Sequence, residues 1–291
     1  MFFSFDIGIF GGDLRQIYMI DALLKRGYRI AVYGICKPVT HNNCKPAYTL
    51  HELFENCRVL IAPIPISRDQ VAITSENALS DLTIAHMAYL LKKQHILIGG
   101  NIPAPITELC NCSKILYYDL MKDEKIAIKN AVSTAEGTIM EAISSSDCNL
   151  HGSSCLVLGY GRCARILAQK LKAMDALVTV AARSKEALAY IEAVGHQSVS
   201  LSKINCILPS YHFIFNTIPA LILDKDRLEL VNPHAVIIDI ASAPGGVDFT
   251  YAKQHRLNVK SCLGLPGKVS PRSTADILVN EIHVFMKEVI K

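Results

Sequence analysis

Short runs of β-branched and other apolar residues recur along the whole chain, each followed by a polar or glycine-rich turn and then by a stretch long enough for a helix. Runs that stay apolar at consecutive positions, instead of alternating, suit strands buried on both faces, so the pattern predicts parallel sheets assembled from βαβ units. In the first half the predicted strands are 6–10, 30–33, 59–62, 96–98 and 115–118. In the second half they are 155–158, 177–181, 213–216, 236–239 and 259–262. Each set suffices for its own sheet. A chain of 291 residues can bury two cores, and the expected domains are 1–130 and 131–271, with 272–291 completing the first. Ser133 precedes Glu136 by three positions, the spacing of a capping box, and predicts a connecting helix from there to about 145. A last helix is expected over 274–289, where Ile277, Leu278, Ile282, Phe285 and Val289 follow near-helical spacing. Returned to the first domain, it would leave a cleft between the two sheets.

Composition narrows the class. With 51% hydrophobic and 19% charged residues the chain has the balance of a globular α/β protein and not of a disordered one. Its net charge of +4 is spread without a basic stripe, which argues against nucleic-acid binding. Gly, Asp or Pro interrupts every apolar run well short of the roughly 18–20 residues of a membrane span. The apolar start, Met1 to Phe10, carries Asp6 and no Lys or Arg, and is expected to be a first strand instead of a signal peptide. Ten cysteines without a secretion signal point to free thiols in the cytoplasm, and with no CxxC pair no metal site is expected.

One motif carries chemistry. The apolar strand 154–158 runs into Gly159-Tyr160-Gly161-Arg162-Cys163-Ala164 and then a helix over 165–173, which is G-x-G-x-x-A in the strand-turn-helix setting of a Rossmann dinucleotide fold. Gly159 permits the tight turn, Gly161 lets backbone approach a pyrophosphate, and Ala164 packs helix on strand. The anion is then expected on the amides at the helix start. After the next strand, where an NAD enzyme places a carboxylate on the ribose hydroxyls, this chain has Arg183 and Ser184. A guanidinium there suits a 2′-phosphate, so NADP is expected, with NAD the alternative.

Ligands of open α/β sheets lie beyond the carboxyl ends of the strands. That directs attention to Thr217-Ile218-Pro219, to the loop from Ala241, and to Leu265-Pro266 as further cofactor contacts. A weaker glycine turn, Gly8 to Gly12, opens the chain and could also bind an anion. Arg15 beside it is a candidate for a substrate carboxylate, the alternative being a pair with Asp13 at the helix start. Lys268 and Arg272 could join Arg15 in a cationic pocket, and His151 is a candidate proton carrier because histidine titrates near neutrality. Glu136 reads more naturally as a helix cap than as a base.

Several strings, in order, resemble the A-subunit family of dipicolinate synthase from spore-forming bacteria. They are Gly11-Gly12-Asp13-Leu14-Arg15-Gln16, Thr134-Ala135-Glu136-Gly137-Thr138-Ile139-Met140, His151-Gly152-Ser153, Leu158-Gly159-Tyr160-Gly161-Arg162, Asn216-Thr217-Ile218-Pro219, the run from Asp239 to Phe249, and Gly264-Leu265-Pro266-Gly267. Two departures occur: Ser133 stands where Pro is expected, and Ala164 replaces a third Gly. The resemblance implies a two-domain dehydrogenase fold and NADP-dependent oxidation of a dihydrodipicolinate-type intermediate of the lysine pathway to pyridine-2,6-dicarboxylate. It also implies sporulation, a mother-cell cytoplasm and a partner, the flavoprotein-like B-subunit of dipicolinate synthase. Asp13, Arg15, Thr134, Glu136, Lys268 and Arg272 are the residues expected to meet the small dicarboxylate. The oligomeric state is left open, including a homo-oligomer. Rival readings are a 2-hydroxy-acid or amino-acid dehydrogenase on the same scaffold, and a non-catalytic nucleotide-binding subunit.

Overall fold

A computed structural model describes residues 3–77 and 79–290. The chain divides into two units, one of residues up to 129 together with those from 270, the other of residues 130–269.

In the first unit the elements run β1 (Phe5–Phe10), α1 (Leu14–Leu24), β2 (Ile30–Tyr33), β3 (Cys44–Pro46), α2 (Leu50–Asn56) and β4 (Cys57–Ile61). They continue with α3 (Ile84–Leu90), β5 (Ile96–Gly99), α4 (Ala104–Cys112), β6 (Leu116–Asp119) and α5 (Glu124–Ser144), within which the division between the units falls. The second unit contains β7 (Ser154–Leu158), α6 (Arg162–Ala173), β8 (Leu177–Ala182), α7 (Lys185–Ala193), β9 (Gln197–Ser200) and β10 (Phe213–Asn216). It ends with α8 (Lys225–Leu228), β11 (Val236–Asp239), α9 (Phe249–Gln254), β12 (Asn258–Ser261) and α10 (Leu265–Val269), after which α11 (Pro271–Val289) belongs to the first unit.

Each unit is built on one six-stranded parallel sheet, ordered β3-β2-β1-β4-β5-β6 in the first and β9-β8-β7-β10-β11-β12 in the second. This is the doubly wound Rossmann order twice over, with strand order reversing between β1 and β4 and between β7 and β10. The consecutive apolar positions separate onto two faces. Ile7, Ile9, Val59 and Ile61 join one buried cluster with α1 and α11, while Phe10 and Leu60 join a second with α2 and α3. Cys155 and Val157 face α6, and Leu156 and Leu158 face the opposite layer. In α11, Leu278 and Ile282 are buried as the periodicity predicts, and Ile277, Phe285 and Val289 pack at the cluster's margin.

The ten predicted strands are all present, and two short ones lie outside the prediction: β3 and β9 at the outer edges. Their sequences, Cys-Lys-Pro and Gln-Ser-Val-Ser, lack the apolar run that signals a strand buried on both faces; Pro46 is tolerated because an edge strand has unpaired positions. The connecting helix also starts earlier than the Ser133 spacing predicts. Asp123 accepts the amides of Lys125 (2.8 Å) and Ile126 (3.2 Å), so α5 begins at Glu124. Ser133 is then a buried residue in mid-helix and Glu136 is not a cap; its carboxylate pairs with Lys170 of α6 at 2.9 Å. No helix among the described residues is long and apolar enough to cross a membrane.

Candidate functional site

The switch point of the second sheet brings the ends of β7 and β10 together. The Leu158 carbonyl accepts both the Thr217 amide (3.1 Å) and the Thr217 hydroxyl (2.8 Å). The Gly159 amide donates to the carbonyl of Ala181 on β8 at 2.9 Å. Gly159 has φ +104°, and a Cβ there would lie 2.5 Å from Thr217 Oγ1 and 3.0 Å from Ile218 Cγ1. Both the left-handed backbone and the crowding exclude any side chain.

Gly161 answers to a different requirement. Its φ is −80°, open to every residue, and a Cβ built on it meets nothing within 4 Å. The space above it is therefore empty of protein, directly before a twelve-residue helix whose first amides have no intrahelical partner and no side-chain cap. No acid occupies the first turn of α6, whereas Arg162 and Arg165 do stand at its start, where the helix dipole disfavours positive charge. An uncapped positive helix end beneath an open cradle has the donor set and shape for a diphosphate. The Arg165 guanidinium lies 4.7 Å from the centre of the Tyr160 ring, and its Nε donates to the Tyr160 carbonyl at 3.1 Å.

The other predicted cofactor residues gather at the same carboxyl end. Arg183 is exposed immediately after β8, and the Ser184 hydroxyl caps α7 by accepting the Ala187 amide at 3.2 Å. Cys163 is hydrogen-bonded to Thr134 of α5, and burial pushes its thiol up, so it is a packing group and not a nucleophile. Thr134 itself donates to the Asn130 carbonyl at 3.0 Å. Ile218 is clamped by Asn216, which accepts its amide at 3.2 Å and donates to its carbonyl at 3.0 Å, leaving Pro219 exposed beyond it. Leu265 is buried against Gly137 at the start of α10, with Pro266 next to it, so its side chain serves the core. Lys268 is exposed on α10, and Arg272 is exposed in the first turn of α11 in the other unit.

A buried network supports these loops. Asp239, 1% exposed, accepts the Ala241 amide (3.0 Å) and Asn216 Nδ2 (2.8 Å) through one oxygen and the Gly246 amide (2.9 Å) through the other. Asn216 is fully buried beside it, and a Cβ on Gly246 would fall 2.1 Å from Asn216 Nδ2. Neither Asp239 nor Asn216 is marked by the dinucleotide motif. The legible signal is a carboxylate closing the apolar run Val236–Ile238, since an acid at the end of a buried strand needs partners.

The geometry bears on four expectations. His151 lies before β7, at the amino end of the strand whose carboxyl end carries Gly159, and its exposed imidazole stands 3.5 Å from exposed Asp175. At about 3.3 Å per residue the five residues of β7 put the length of the strand between it and the turn, so it is not a proton carrier there. Arg15 and Asp13 hold each other: Nε meets Oδ1 at 2.9 Å and Nη2 meets Oδ2 at 2.7 Å, while Nη2 also donates to the Ile64 carbonyl. Burial raises the Asp13 carboxyl, but the hydrogen bonds and charge of Arg15 outweigh this and hold it below the usual carboxylate range. The first glycine turn is likewise closed to an anion. Asp13 and Gln16 form a capping box, and the Gly12 amide donates to the Thr74 carbonyl at 2.7 Å. Glu136, paired with Lys170, is no free carboxylate for a substrate site.

Known proteins match both halves of the chain. The family profile for the N-terminal domain of the dipicolinate synthase A-subunit matches residues 6–121, and that for the NAD binding domain of D-isomer specific 2-hydroxyacid dehydrogenase matches 125–246. The second match supports an oxidoreductase with a nicotinamide cofactor, and its span holds the glycine turn, Arg183 and the Thr217 loop. The dipicolinate synthase A-subunit of Bacillus subtilis (strain 168) is 30% identical over 292 residues, covering 97% of this chain and 96% of that protein. The crystal structure of the dipicolinate synthase A-subunit from Bacillus halodurans superimposes with a TM-score of 0.89 at 28% identity, covering 98% of this chain and 99% of that one. A transhydrogenase from Sinorhizobium meliloti, at 11% identity and a TM-score of 0.68 over 96% of this chain and 94% of its own, shares the fold alone. Because the B. subtilis relative aligns along both units, and not merely along the nucleotide-binding half that many dehydrogenases share, the chain belongs to the dipicolinate synthase A-subunit family.

Proposed function

We propose that the chain, acting with the flavoprotein-like B-subunit, oxidises a dihydrodipicolinate-type intermediate of the lysine pathway to pyridine-2,6-dicarboxylate with NADP as acceptor. The observation that carries this reading is the uncapped, acid-free start of α6 beneath the open Gly161 position, with Arg183 where an NAD enzyme carries a carboxylate. Held by the α6 amides and the Gly159–Gly161 turn, a nicotinamide would supply the hydride acceptor for a substrate ring that becomes aromatic on losing a hydride and a proton.

The chain's own contribution is positioning. The α6 amides hold the diphosphate, Gly159 keeps the turn tight against Thr217, and the Asp239–Asn216 network fixes the loops at the ends of β10 and β11. Aromatisation supplies driving force for loss of the proton, so a strong dedicated base is not required. Lys268, exposed in the same unit as the turn, is the cation proposed to meet a substrate carboxylate. The likeness to the A-subunit of Bacillus subtilis supports placing this reaction in the cytoplasm of a sporulating mother cell.

The test is reconstitution. Purified chain, the B-subunit, NADP and the lysine-pathway precursor are expected to give the ultraviolet absorbance of a pyridine dicarboxylate together with NADPH. Absence of both from a mixture in which each protein is folded would overturn the assignment.

A further inference from the structure

We propose that Arg165, a residue outside the dinucleotide motif, is a second cationic contact for the 2′-phosphate of the cofactor, and that Tyr160 is the positioning residue that holds it ready. The inference rests on the NADP reading above. It adds a specificity-determining residue on α6 to Arg183 at the end of β8.

Placement is the first support. Gly159 is bonded to Ala181, so the next residue, Tyr160, stands beside the strand end that leads through Ala182 to Arg183. On α6, Arg165 shares a face with Lys172 seven positions on, and Lys172 Nζ donates to the Gly195 carbonyl at 2.6 Å, just past the end of α7. That face of α6 is therefore the one turned toward the β8–α7 side, and Arg183 is the residue between β8 and the cap of α7. Cys163 and Lys170 lie on another face, toward α5, where they meet Thr134 and Glu136.

The state of the guanidinium is the second support. Nε is used by the Tyr160 carbonyl and one face rests on the Tyr160 ring, which fixes the plane of the group. No carboxylate among the described residues pairs with it in an ion bridge, and four of its five N–H donors point from the two terminal nitrogens. A cation near the positive end of a helix, held by stacking and left without a counter-charge, is arranged for an anionic ligand. The pyrophosphate is served by the helix amides and Gly161. The β8 side instead faces the adenosine ribose in a Rossmann unit, where NADP differs from NAD by one phosphate.

Calorimetric titration of the full chain with NADPH and NADH tests this, with wild type, Arg165→Ala, Tyr160→Ala, Tyr160→Phe and Arg183→Ala compared, and thermal melting of each as a check of folding. Arg165→Ala is expected to weaken NADPH at least about tenfold and NADH by less than about twofold. Tyr160→Ala is expected to lower the NADPH-to-NADH preference about threefold to fivefold, and Tyr160→Phe, which keeps the ring, to leave it unchanged. Equal loss of both nucleotides on Arg165→Ala, or loss of neither, would overturn the assignment of Arg165 while leaving the cofactor reading intact. A folded wild-type chain that binds neither nucleotide would instead remove the proposed function, and this inference with it.

Discussion

Two glycines of one turn illustrate what a sequence motif does and does not say. Gly159 is required by the fold: φ +104° and a Thr217 oxygen 2.5 Å from the missing Cβ leave no room. Gly159→Ala is expected to cost about 1–3 kcal/mol of stability, read as a lowered melting temperature. Gly161 is required by the ligand, since its Cβ would stand in open space. Gly161→Val is therefore expected to melt within about 0.5–1 kcal/mol of wild type yet to lose NADPH binding in a calorimeter; a variant that still binds at wild-type strength would mean the cradle is not used. The motif names both residues but cannot separate their reasons, which depend on what the rest of the fold puts above each. Asp239 is the converse, outside the dinucleotide motif yet joined to three donors. Asp239→Ala is expected to destabilise by roughly 3 kcal/mol, because buried donors lose their acceptor, and urea unfolding would measure it.

Among elements, the buried strands and the helices with an apolar stripe were legible, because each writes its burial into consecutive or near-3.6 spacing. What escaped was decided elsewhere. Edge strands β3 and β9 are defined by a neighbour's hydrogen bonds and not by their own apolar content. The start of α5 was misplaced because Ser133 and Glu136 have the spacing of a cap, while Asp123, ten residues earlier, supplies the cap that forms. The early start matters to packing, since its first two turns present Lys125 (2.8 Å) and Lys129 (3.2 Å) to Glu281 of α11. Hydrogen bonding by Lys125 and Lys129 outweighs burial and holds the Glu281 carboxyl below its ordinary range. A depressed carboxyl stabilises the fold above the unfolded-state value, near pH 4.3, and the contribution is lost as pH falls through the folded-state value. Glu281→Gln is thus expected to cost about 1 kcal/mol at pH 7 and to become indistinguishable from wild type under acid. Melting curves from pH 7 down to pH 3 would show the two converge; a constant gap would mean the pair contributes nothing through its charge.

At the scale of the molecule the chain uses one strand order twice and keeps the dinucleotide turn only once. In the first unit the helix start is closed by the Asp13–Gln16 box and by the Asp13–Arg15 pair; in the second it is uncapped and flanked by arginines. The sequence marks this difference through Asp13, which stands at the helix cap where the second turn has Gly161, yet the glycines alone suggested an anion site at both. Its substrate residues are the least legible, because a carboxylate grip is set by side chains converging from distant segments and not by local spacing. The account predicts that NADPH engages one unit through one turn. Hydrogen exchange of the full chain with and without saturating NADPH tests this most directly. Slowed exchange is expected at 159–166, 182–187 and 216–219, with the 8–16 segment unchanged. Slowing confined to 8–16, or none at 159–166 under conditions where calorimetry registers binding, would contradict it.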